Sequence, residues 1–239
     1  MALLYRLLDP GDAELQLTFR DSAGREVRTL TAQPGEENRK PDKDKPTDPV
    51  PPRREGLNRF VWDGRHGRGT QIEIDPPQDQ DAAANLGPAV APGHYTVHVE
   101  LGGQAAEAEF EIAADPRSRW TPEQVADQYD LSLRLWGLLS DVYDGVNRAR
   151  RARSELGESE SDLRLRQELE ALESDLIADG GGHRSIHVRQ AALDTRLVRL
   201  RQVVAAAPPN ASAVELAGLV QAQVEQALVR LSDLLKSAT

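Results

Sequence analysis

The stretch "AADPRSRWTPEQ", residues 113–124, separates two kinds of sequence pattern, and its reading decides the fold. Thr121, Pro122 and Glu123 make a helix start. The threonine hydroxyl can cap a free backbone N–H, proline suits the first helical position, and an acid in the first turn meets the positive end of the helix dipole. Before this point apolar and polar residues alternate; after it, apolar residues recur every three or four positions. These are the side-chain periods of a half-buried strand and of a one-sided helix.

Seven strands are expected upstream, at 3–7, 14–21, 25–32, 58–63, 70–75, 94–101 and 106–113. Leu15, Leu17 and Phe19 alternate with polar neighbours, as do Tyr95, Val97 and Val99, so each strand buries one face. "DSAGR" (21–25) and "LGGQ" (101–104) place glycine where a tight hairpin needs positive φ. In "EGLNRFVWDGRHGRGTQ" (55–71), Phe60 and Trp62 share a face, and Asp63-Gly64 ends the strand in a turn where the carboxylate can accept backbone N–H bonds. That leaves Arg65, His66 and Arg68 as candidate contact residues in the loop. The segments 34–54 and 76–92, rich in proline and charge, have too little apolar surface to offset the entropy of ordering and read as mobile insertions.

Downstream, four apolar stripes run through Leu131–Val146, Leu163–Leu176, Leu193–Val204 and Leu216–Leu235, broken at "LGES", "DGGGH" and "APPNAS". One-sided helices bury their stripes against one another. The expected fold is therefore α+β in two domains. An immunoglobulin- or fibronectin-like antiparallel β-sandwich occupies 1–115, and an all-α bundle of about four helices occupies 119–239.

Composition narrows the function. The 239 residues carry 39 acidic and 29 basic side chains, a formal net charge of −10 that repels a phosphate backbone, so nucleic acid is not an expected partner. The one basic run, "RARRAR" (148–153), falls within a helix and reads as a solvated face. No apolar run reaches the length of a membrane span, and "MALLYRLLDP" has no basic start followed by a long apolar core, so neither membrane nor signal peptide is expected in this chain. With no cysteine, disulfides, thiolate nucleophiles and cysteine metal sites are ruled out.

The remaining chemistry is sparse. His183 and His187 in "HRSIH" have the i, i+4 spacing of a zinc pair, yet no third ligand lies near in sequence, and the pair reads as a solvated helix start. Asp9, Asp12, Asp63, Asp75, Asp79 and Asp81 offer carboxylates without a defined pair. Trp120 and Trp136 read as core or interface packing. No phosphate-binding glycine loop or nucleophile elbow is present. The site expectation is thus no catalytic residue, no cofactor-binding residue and no metal ligand.

The pattern Gly56, Leu57, Asn58, Arg59, Phe60, Trp62, Asp63, the strand Pro92, Gly93, Tyr95, Thr96, Val97 and the helix ending Asn147, Arg148, Arg150 together resemble a family. It is the C-terminal region of bacterial proteins with sortilin-type, Asp-box (BNR-repeat) β-propellers, often labelled glycosyl hydrolase-like. The sandwich half alone also resembles the immunoglobulin-like domain of flagellar hook-capping proteins. The first resemblance implies a non-catalytic accessory or scaffolding region of a larger, extracytoplasmic propeller protein, because the propeller would hold any sugar-cleaving site and no Ser-x-Asp-x-Gly-x-x-Trp repeat occurs here. The implied partners are the parent propeller, another protein or a second copy; carbohydrate binding is the alternative.

Overall fold

The structure, a computed structural model, describes residues 1–36, 48–73, 86–178 and 192–237. Six strands come first: β1 (Ala2–Leu7), β2 (Leu15–Asp21), β3 (Glu26–Ala32), β4 (Gly56–Val61), β5 (Gly93–Leu101) and β6 (Gln104–Ile112). Four helices follow: α1 (Pro122–Glu155), α2 (Glu160–Leu176), α3 (Leu193–Ala206) and α4 (Ala211–Ser237).

All strand pairs are antiparallel, in a two-stranded sheet β1-β4 and a four-stranded sheet ordered β3-β2-β5-β6. Alternation along each strand gives every strand one apolar face, and these faces meet. Tyr5, Leu7 and Phe60 of the small sheet join Leu15, Leu17, Phe19, Leu30 and Val97 of the large one in one buried cluster. The hairpins form where glycine allows them. Gly102 and Gly103 both have positive φ (56° and 80°), which matches the twist of a two-residue turn between β5 and β6. At the β2–β3 turn Asp21 Oδ1 accepts from the backbone N–H of Ala23 and Arg25.

The described part of the expected seventh strand at 70–75 is not a strand. Thr70–Glu73 carry no strand pairing, and residues 74 and 75 lie outside the described residues. The alternation of this segment is satisfied by a helix instead. Ile72 packs against the helical core. Asn147 of α1, itself buried, donates from Nδ2 to Gln71 O (2.8 Å) and accepts at Oδ1 from Glu73 N–H (2.8 Å). One side chain thus stands in for the neighbouring strand. A Cβ at Gly69 would lie 2.5 Å from Ser140 Oγ and 2.9 Å from Trp136 Nε1, so the backbone comes too close to α1 there for any larger residue.

The chain accordingly divides into two compact units, Met1–Arg68 with Leu86–Trp120, and Gly69–Asn85 with Thr121–Thr239. In the second, α1 and α2 begin where the sequence predicts. Thr121 caps α1 by accepting from Gln124 N–H, and the Gln124 side chain returns the bond to the Thr121 N–H. Ser159 caps α2 by accepting from Asp162 N–H. The stripes close on a core containing Leu135, Val142, Leu169, Leu197, Val220 and Leu231. Trp120 is exposed rather than packed, a departure from its expected role.

Of the two loops expected at 34–54 and 76–92, residues 37–47 and 76–85 lie outside the described residues. The described remainder is packed. Arg53 is 4% exposed, and its guanidinium donates to Ala13 O (2.9 Å), Pro10 O (2.7 Å) and Gly11 O in the β1–β2 connection. Tyr5 OH donates to Pro52 O. The burial of Tyr5 behind this contact pushes its phenol well above the usual range.

Candidate functional site

The residues that most resemble a site lie at the end of β4. Trp62 extends the β1–β4 ladder by one step: its N–H donates to Met1 O (2.9 Å) and its carbonyl accepts from Met1 N (2.8 Å). The side chain is 1% exposed. It stacks on Phe19 with ring centroids 4.3 Å apart and meets Tyr95 and Phe110 edge-on at 6.2 and 6.1 Å. Its polar end is satisfied internally, with Nε1 donating to Arg65 O (3.2 Å). The motif's tryptophan is core, as its alternation with Phe60 predicts.

Asp63 accepts from Arg65 N–H (3.2 Å), the turn role expected of it. It has a second role that the sequence did not reveal. Arg28 of β3 is buried, and its guanidinium donates to Asp63 Oδ1 (2.9 Å) and Asp48 Oδ1 (2.7 Å). Arg68 Nε lies 3.4 Å from the same Asp48 oxygen. A buried guanidinium between two half-exposed carboxylates is a clamp that ties β3 to Asp48 and to the turn after β4, and removing both carboxylates would leave its charge stranded in the interior.

The loop candidates are also held. His66 N–H donates to Pro88 O (3.0 Å), Val90 N–H donates to Gly64 O (2.8 Å), and Arg65 forms a bridge with Ala89. The Arg65 side chain donates to Gly87 O (3.2 Å). Glycine is required at position 87, since a Cβ there would lie 2.3 Å from Gly67 O and 2.5 Å from His66 O.

Burial pushes the His66 imidazole below its ordinary value; nearby Asp21 opposes the shift and Arg25 adds to it. A depressed folded pKa has a defined sign. The unfolded chain takes up the proton first, so stability is complete above the unfolded value of about 6.5 and declines as pH falls through the lowered folded value. Urea midpoints of the full chain should fall from about pH 8 to about pH 5 more steeply than those of His66→Gln. Identical slopes would show that the imidazole is not desolvated.

In the helical unit, Arg150 and Arg153 of the basic run do not form a solvated face. Arg150 donates from Nε (2.8 Å) and Nη2 (2.6 Å) to Glu173 Oε1, and Arg153 Nη1 donates to Glu173 Oε2 (2.8 Å). One carboxylate of α2, largely buried, thus holds two arginines of α1. Arg150 Nη1 also donates to Glu73 O (3.1 Å), beside the bonds of Asn147. Arg148, by contrast, is exposed.

Asn147→Leu leaves one backbone N–H and one carbonyl unsatisfied, and should lower the stability of the helical unit by about 2 kcal/mol. Amide exchange at Glu73 should accelerate in step, and an unchanged rate would contradict the stand-in role of Asn147. Asparagine at a stripe position, four residues after Tyr143, was the available sequence signal. Arg53 offered none, because the carbonyls of Pro10, Gly11 and Ala13 that it bonds are main-chain groups, which leave no mark in the residue pattern.

The remaining candidates do not converge. Among the described residues no group of three or more His, Asp or Glu side chains could hold a metal ion. Asp9 accepts from Gly11 N–H (2.9 Å) in a turn. His183, His187, Asp75, Asp79 and Asp81 lie outside the described residues. Among the described residues no helix is long and apolar enough to cross a membrane. The aromatics of the two strand motifs, Phe60, Trp62 and Tyr95, are all buried, so none of them presents a planar face to a sugar.

No family model, characterised protein or solved structure matches the chain.

Proposed function

We propose that the chain is a non-catalytic accessory region that mediates protein-protein contact or assembly, built as an immunoglobulin-like sandwich followed by a helical bundle. The sequence resemblance extends the proposal to an extracytoplasmic parent protein with an Asp-box propeller. One contrast carries the reading. The residues that look like a site are consumed by internal bonds, whereas the outward face of β1-β4 exposes Leu4 (60%), Leu57 (73%) and Val61 (52%). Aliphatic side chains gathered on one exposed face are a feature of interaction surfaces.

The test has two parts. Incubated with a panel of oligosaccharides, the chain should release no product, and hydrolysis that is lost on changing one pair of carboxylates would overturn the reading. A glycan array should stay blank; saturable binding to one glycan class would favour the carbohydrate-binding alternative.

A further inference from the structure

Both sheets end in open edges. Among the described residues, β1 pairs with β4 alone and β6 with β5 alone. Which residues present their backbone at these edges follows from the ladders. The two-residue turn makes Leu101 and Gln104 a hydrogen-bonded pair, so in β6 the N–H and C=O groups of Glu107, Glu109 and Glu111 point to the free edge. Met1 and Trp62 exchange both backbone bonds, so in β1 the groups of Ala2, Leu4 and Arg6 point outward.

The two edges are complementary in charge. On the solvent face, β6 presents Glu107, Glu109 and Glu111, whereas the small sheet presents Arg6 and Arg59 among aliphatic residues and no acid. Histidines sit opposite two of the acids: His98 Nδ1 is 3.8 Å from Glu107, and His94 faces Glu111. Glu109 faces Thr96 and has no cationic neighbour in the ladder. The opposite face is also unfinished. Ala106 and Ala108 share the core side with Val97 and Tyr95, yet both are exposed.

We infer that a second copy of this chain occupies the β1 edge, adding its β6 as an antiparallel strand. Parity fixes the outcome: edge residues that exchange backbone bonds lie directly opposite one another and share a face. Arg6 and Leu4 therefore meet the glutamate row, and the exposed alanines continue the apolar side of Leu3, Tyr5 and Leu7. Pairing of β6 with β6 would set glutamate against glutamate, so the acidic row that guards this edge also selects its partner. The contact is heterologous, joining two different edges, and it propagates into chains of molecules rather than closing at a dimer. The inference rests on the protein-contact reading and names the partner.

Sedimentation equilibrium of the full chain from about 1 µM to about 1 mM covers the range in which such edge contacts associate. The mean mass should rise past that of a dimer, and added salt should weaken the rise. Arg6→Glu and Glu109→Lys should each weaken association about tenfold, the scale of one lost charge pair. Mixing the two variants should restore it, because each then offers the other a matched edge. Both positions are exposed, so circular dichroism should match the parent chain. A monomer across the range, a mass that stops at two, or association indifferent to both reversals would overturn the inference. A monomer that still binds another protein would leave the accessory reading standing.

Discussion

Trp62→Ala is expected to cost the sheet unit about 3–5 kcal/mol, the range for deleting a fully buried large aromatic. The indole contacts Phe19, Tyr95 and Phe110 at once, so its removal opens a cavity bordered by three strands of the large sheet. Its loss also strands the Arg65 carbonyl that Nε1 satisfies. Against a typical domain stability of about 5–15 kcal/mol, that is enough to leave part of the population unfolded at ambient temperature. Trp120→Ala is the control, because that side chain is exposed and its loss should change the unfolding free energy by less than about 0.5 kcal/mol. Equal losses in the two variants would mean that Trp62 is not the centre of the core.

The second large effect belongs to Arg53. Arg53→Ala should cost about 3 kcal/mol, since three carbonyls of the Pro10–Ala13 connection lose a buried charged donor. Lysine should not rescue it. An ammonium is a point donor on a flexible stem and cannot reproduce the fork that reaches residues 10, 11 and 13 together. Limited proteolysis is the direct readout, with cleavage near Gly11 accelerating in both variants. A lysine variant as resistant as the parent would reduce the role of Arg53 to charge alone.

How much the sequence disclosed differs from element to element. Trp62 was legible because its period and that of Phe60 agree; the period slips in β3, where the irregularity opposite Phe19 and Arg20 buries Val27 and Arg28 in succession. The start of α1 was legible because Thr121-Pro122 is a local signal whose physics needs no distant partner. The segment at 70–75 misled for the converse reason: alternation states that one face is buried, not what buries it, and here the partner is a helix. The basic run misled similarly. Six residues of like composition look uniform, yet Arg150 and Arg153 differ from Arg148 through partners distant in sequence, chiefly a glutamate on another helix. Arg28, Arg53 and Asp48 bind across gaps that spacing does not encode.

The bonds between Asn147 and residues 71–73 bear on how the molecule is made. During synthesis the ribosome delivers Gln71 and Glu73 more than seventy residues before their partner, as the separations of 76 and 74 positions require. Until α1 emerges, that stretch has only water to bond to. The sheet unit, in contrast, has all its strands once Ile112 has been added. A nascent chain arrested between these points should therefore carry a protected sheet and an unprotected Gly69–Glu73. Excising residues 119–239 as a free-standing bundle would remove the main-chain partners of Asn147. The place to cut this protein, for expression or for fusion, is not the border at which its sequence pattern changes.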